Sequence, residues 1–146
     1  VSIRNAFLVT VLSQMHAPYR WAGKGERDGL AGPRVFDCSG LVTWAYREVG
    51  DVDWRRTHNT DTLWAKCAPV QESELLPGDL VLYGKDGDPD HVMVHVGGGV
   101  VVGASGGGRK TLTLADAYSQ GARVQAHASF RYRRDLLGFR RLPFRS

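Results

Sequence analysis

Residues 34–50 read RVFDCSGLVTWAYREVG. An acid, a thiol, a serine and a glycine stand directly before a run of helical period. Leu41, Ala45 and Val49 make one stripe, Val42 and Tyr46 lie beside it, and Gly50 is a stop signal. Cys38 therefore falls where a helix begins. It is either a small buried hydrophobe or a nucleophile on a first helical turn. At that position the helix dipole and the unpaired backbone N–H groups favour thiolate and can hold an oxyanion. Ser39 and Gly40 keep the surroundings small enough for substrate to approach the backbone. Asp37 suits the N-terminal end of the helix on either reading.

Outward from this stretch the chain alternates between periodic runs and punctuation. In residues 1–15, Ile3, Phe7, Val11 and Met15 recur at four-residue steps, one face of an amphipathic helix. Pro18 and Gly23 break it, and GKGERDGLAGPR (23–34) reads as loop. The second half of residues 51–67 suits a short helix. LLPGDLVLYG (75–84) is a turn and then a strand. DPDHVMVHVGGGVVVGA (88–104) predicts two strands joined at Gly97–Gly99. Alternation puts His91, Met93 and His95 on one face and Val92, Val94 and Val96 on the other. LTLADAYSQG (112–121) is a short helix and LLGFRRLPF (136–144) a last strand. Helices followed by an antiparallel meander predict an α+β fold.

The whole has 146 residues and a hydrophobic share of 42%, the size and core content of one domain, residues 1–146. The formal net charge of +4 is concentrated in FRYRRDLLGFRRLPFRS (130–146). It suits an anionic partner such as a wall polymer. It lacks the blocks and motifs of a nucleic-acid site, so no nucleic-acid partner is expected. No apolar run reaches membrane-spanning length. Cys38 and Cys67 give no disulfide framework, and Cys67 reads as an apolar filler. The Cys and His residues lack ligand-pair spacing, so neither metal nor cofactor is expected. Of the five histidines, His91 is the best base for Cys38. It starts a strand that can pack against the thiol's helix. His58 and His127 fall in segments with no assigned element.

PYRWAG (18–23), FDCSGLVTWAY (36–46), LLPGDLVLY (75–83) and DHVMVHVGGGVVVGAS (90–105) together resemble, in order, the NlpC family of papain-like cell-wall cysteine peptidases. The resemblance implies an α+β papain-like domain with its nucleophile helix packed on an antiparallel sheet. It implies Cys38 as nucleophile and His91 as general base. Tyr19 would hydrogen-bond the substrate carbonyl or oxyanion, and Asp37 and Ser39 would shape the site and hold the donor peptide. RRTHNT (55–60) resembles the segment that precedes a short helix in these enzymes.

The sequence departs from the family pattern at three positions. Relatives carry a polar residue that orients the imidazole on the strand after the glycine turn, and Gly103 stands there. Ser105, two residues on and on the same face, could substitute directly or through water, or a backbone carbonyl could accept the Nδ1 proton, leaving a Cys–His dyad. Met93 replaces a small residue, and Ala22 replaces a glycine. The expected substrate is the peptidoglycan stem peptide, cut between γ-D-glutamyl and the diamino acid. The alternatives are an N-acetylmuramoyl-L-alanine amidase and a non-catalytic wall-binding or structural domain. The expected location is the cell envelope or the extracellular space. The chain starts at Val without a leader-like segment, which suggests a mature product, a piece of something longer, or a part of a phage or phage-like tail.

Overall fold

The computed structural model describes residues 2–50 and 52–145. Ser2 caps the first helix, α1 (Ile3–Leu12), its hydroxyl accepting the Asn5 N–H at 3.1 Å. Phe7 and Val11 of its predicted stripe are fully buried, and Met15 packs on the same core from the turn beyond. The stretch read as loop forms a hairpin, β1 (Lys24–Arg27) and β2 (Arg34–Phe36). Its glycines and charges hide a ladder whose strands are too short for period-2 patterning.

The helix opened by Cys38 is α2 (Cys38–Glu48). Every residue from Ser39 to Tyr46 is buried, so α2 is a central helix rather than an amphipathic surface one. It packs between α1, the β1–β2 hairpin and the sheet. Gly40 is needed at its first turn, because a Cβ there would lie 1.8 Å from the Gly23 carbonyl oxygen. The space expected to admit substrate is filled by the protein's own backbone.

After α3 (Thr60–Lys66) come β3 (Ala68–Val70), β4 (Leu80–Tyr83), β5 (His91–Gly97) and β6 (Val100–Ser105). α4 (Leu114–Gln120), β7 (Arg123–His127) and β8 (Leu136–Arg141) complete the chain. The antiparallel sheet has the order β3-β8-β4-β5-β6-β7. Strands β4 to β7 form the expected meander. The last strand does not extend it, but returns to lie between β3 and β4. Strand β7, which supplies an edge, was not evident in the sequence.

Alternation divides the sheet as predicted. Leu80, Leu82, Val92, Val94, Val102 and Ala104 join the main core beneath the helices. Val81, Tyr83, Met93, Val101 and Phe139 form a smaller cluster on the opposite face. Phe130 and Tyr132, from a 3-10 turn (Phe130–Tyr132), pack against that cluster. The PGD turn before β4 is an anchor. The fully buried Asp79 carboxylate receives two 2.8 Å bonds from Arg141, one of 3.2 Å from Arg4, and the Leu76 N–H.

Two departures in the sequence are one feature in space. Val94 pairs with Val102 and His95 with Val101, which sets Met93 opposite Gly103. A Cβ on Gly103 would lie 2.6 Å from Met93 Sδ. Gly103→Ala should therefore destabilise the fold by about 1–3 kcal/mol through overpacking. Met93→Ala should cost about 2–5 kcal/mol through a cavity. Urea unfolding of the double variant should show a loss smaller than the sum by about 1–2 kcal/mol.

Candidate active site

Cys38 is the first residue of α2, and Asp37 is its N-cap. The Asp37 carboxylate accepts the Gly40 N–H at 2.6 Å and meets the Ser39 hydroxyl at 3.4 Å. Burial pushes the Asp37 carboxyl up, against the pull of these bonds and of Lys24. The Cys38 sulfur lies within reach of the backbone N–H groups of Val92, Ser39 and Cys38 itself. These favour thiolate, as a helix start should. Burial and the neighbouring Asp37 charge outweigh them, and the thiol is pushed up to about 12. The dipole-lowered thiol expected from sequence is not the resting state. Desolvation penalises a charge more than the first helical turn rewards it.

His91 opens β5, the strand against which α2 packs. His91 is 8% exposed. Burial and the Arg133 charge lower its pKa to about 3, with Asp135 opposing. Its Nε2 lies 2.8 Å from the Tyr132 hydroxyl. That leaves Nδ1 as the nitrogen free to serve a base function. Nδ1 carries the free lone pair in the tautomer that donates Nε2–H to the phenol oxygen.

Tyr132 is itself tightly held. His127 stacks on its ring at 3.8 Å and 4°, and Tyr83 meets it edge-on at 5.5 Å. The Tyr83 hydroxyl donates to the Phe130 carbonyl at 2.8 Å, fixing the turn. Arg133 pairs with Asp135 through bonds of 2.9 and 2.6 Å and reaches Asp90 at 3.2 Å. Burial raises the Tyr132 phenol to about 12.

Ser105, expected to orient His91, does not reach it. Its hydroxyl lies 3.1 Å from His127 Nε2, two groups away from the base. The hydroxyl that meets His91 is that of Tyr132, which the sequence did not single out. No motif surrounds Tyr132, and 41 residues separate it from His91. His127 was missed because β7 was. His95 is tied to the Leu76 carbonyl and the Gly99 N–H at the glycine turn. His58 stacks on Trp54 at 3.9 Å.

Two cavities hold the side chains of this region. One, of about 270 Å³, holds Cys38, Asp37, Ser39, Tyr19 and Lys24, with Trp21 at its wall. The other, of about 220 Å³, holds His91, Ser105, His127 and Tyr132. Tyr19 is 5% exposed, and burial with the nearby Cys38 and Asp37 raises its pKa, so the phenol stays a donor. Among the described residues no three His, Cys, Asp or Glu groups are placed to hold a metal, and no helix is long and apolar enough to cross a membrane.

Known proteins resemble this chain in sequence and in fold. The model of the NlpC/P60 family matches residues 16–128. Murein DD-endopeptidase MepH of Escherichia coli (strain K12) is 41% identical over 91 residues, 61% of this chain and 31% of that protein. The chain spans about a quarter to a third of the length of the first curated relatives it matches. The P60 domain of an M. avium subspecies paratuberculosis antigen superposes with a TM-score of 0.73 at 23% identity, covering 99% of this chain and 96% of that one. RipD from Mycobacterium tuberculosis, described as a non-catalytic NlpC/p60 domain protein adapted to peptidoglycan binding, superposes with a TM-score of 0.71 at 21% identity, covering 99% of each chain.

Proposed function

The chain belongs to the NlpC/P60 family, and from that premise we propose that it is a cysteine peptidase that hydrolyses an amide of the peptidoglycan stem peptide. One observation carries the reading. The helix opened by Cys38 packs against β5, the strand opened by His91, whose Nε2 lies 2.8 Å from the Tyr132 hydroxyl.

In the reaction, His91 Nδ1 takes the Cys38 proton as sulfur attacks the carbonyl carbon. The Cys38 backbone N–H and the Tyr19 phenol hold the oxyanion. The C–N bond then breaks, and the leaving amine takes the proton from His91. His91 next deprotonates a water, which attacks the thioester. The acid product leaves, and the thiol recovers its proton. Asp37 and Ser39 support the cleft wall that holds the donor peptide. Tyr132 takes the orienting role for which Ser105 was the expected residue. It fixes the imidazole with its lone pair on Nδ1.

Both reacting groups rest neutral, with His91 near 3 and Cys38 near 12. His91 is an unprotonated base above the lower value, and the thiol keeps its proton below the upper one. kcat/KM should therefore vary less than about threefold between roughly pH 5 and 8, without an acid limb near the usual histidine pKa of about 6.5. A steep fall below pH 7 in a buffer-matched profile would reject the neutral pair.

The proposed bond joins γ-D-glutamate to the diamino acid. The DD bond for which one relative is named and the amide cut by an amidase are the competing assignments. Digestion of purified peptidoglycan, with product masses measured, tests the function and separates these bonds. Products from no wall type would support the second reading, a wall-binding domain without catalysis, which Gly103 favours. The reading sets the chain to work in the cell envelope or outside the cell; a phage-like tail is the alternative setting.

A further inference from the structure

Lys24 lines three cavities. It borders the cleft beside Cys38, a smaller cavity of about 210 Å³, and a basin of about 330 Å³. Asn59 joins the first two, while Arg55 and Arg56 join the last two. Shared walls thus line up the three cavities in a groove direction from the thiol to the basin. The basin wall carries five cations, Lys24, Arg34, Arg47, Arg55 and Arg56, against two carboxylates, Glu26 and Glu48.

The cations are held in different ways. Arg34 donates to the Gly25 carbonyl at 2.7 Å and lies over the Trp44 ring at 5.4 Å, so its guanidinium is fixed in place. Gly25 permits this, because a Cβ there would lie 2.3 Å from Trp44. Arg55 is bonded twice to Asp53, which Arg47 also approaches at 3.9 Å. Arg56 is exposed and has no hydrogen bond or ion pair among the described residues. A fixed guanidinium, an unpaired one and a lysine on one wall favour an oxyanion.

We propose that the basin is an anion subsite that holds a carboxylate or phosphate of the wall polymer while the scissile amide lies at Cys38. The proposal rests on the hydrolase reading for the direction of the groove, though not for the charge of the basin. Stem peptides bring carboxylates, and phosphodiester wall polymers bring phosphates. Both present the same acceptor geometry to arginine.

Two arms of one experiment separate the sources. Kinetics would use paired soluble stem peptides whose carboxylates are either free or amidated. Arg56→Gln should raise KM for the free peptide about fivefold at low salt, leave kcat unchanged and leave the amidated peptide unaffected; the difference should fade near ~0.5 M salt. Arg47→Gln should act in the same direction, more weakly. The second arm measures retention of the Cys38→Ala chain on walls before and after their phosphodiester polymer is removed. Loss of retention both on removal and with added Arg56→Gln assigns the anion as phosphate. Unchanged KM and unchanged retention in both arginine variants would overturn the subsite. If the wild type cuts nothing, the hydrolase reading fails, and the retention arm alone decides the subsite.

Discussion

Cys38→Ala should end the release of soluble peptides from peptidoglycan, lowering kcat by about 10⁵-fold or more. The loss should be this large because the rest of the machinery only serves the sulfur. His91 has no other proton to take, and the Cys38 and Tyr19 donors act on an oxyanion that forms only after attack. His91→Ala should cost nearly as much, and the double variant little more, because the two act as one unit. Neither change should unfold the chain. Cys38 sits at a helix start where alanine is acceptable, and far-ultraviolet circular dichroism would confirm the fold. A Cys38→Ala chain that still releases the same products would sink the nucleophile assignment.

Tyr132→Phe should lower kcat by about 10- to 100-fold while moving KM less than about twofold. The ring would keep its stack on His127 and its contact with Tyr83, so what is lost is the hydroxyl on His91 Nε2. The expected signature is spectroscopic as well as kinetic. Nitrogen-15 shifts of His91 should report a Nε2–H tautomer in the wild type and a mixture in the variant. Ser105→Ala should leave kcat within about threefold, since its hydroxyl serves His127. The reverse outcome, a silent Tyr132→Phe and a crippled Ser105→Ala, would restore the serine as the orienting group.

Much of the architecture was legible because it is local. The α2 start could be read from Asp37 through Gly40, and β5 and β6 from strict alternation around three glycines. The glycine turn has the left-handed backbone that such residues permit, with φ of 126°, 60° and 84°. The β1–β2 hairpin was hidden by loop-like composition, and β7 by its partial exposure. Position in the sheet was less legible than strand identity. Nothing in LLGFRRLPF says that it will insert between β3 and β4. The site shows the same division. Cys38, Asp37, Ser39, Tyr19 and His91 were named from nearby motifs; the first four line one cleft and His91 lines the neighbouring cavity. Tyr132 was not, because a side chain delivered by a distant turn leaves no spacing to read. The thiol's charge state was misjudged for a related reason: sequence shows the helix dipole, but only packing shows the desolvation.

The Met93–Gly103 contact makes two positions one unit of variation. A Cβ on Gly103 would come 2.6 Å from Met93 Sδ, so any side chain at position 103 obliges the methionine to move or to shrink. A substitution at either position is therefore read through the other. Redesign of this strand pair has to treat the two residues together.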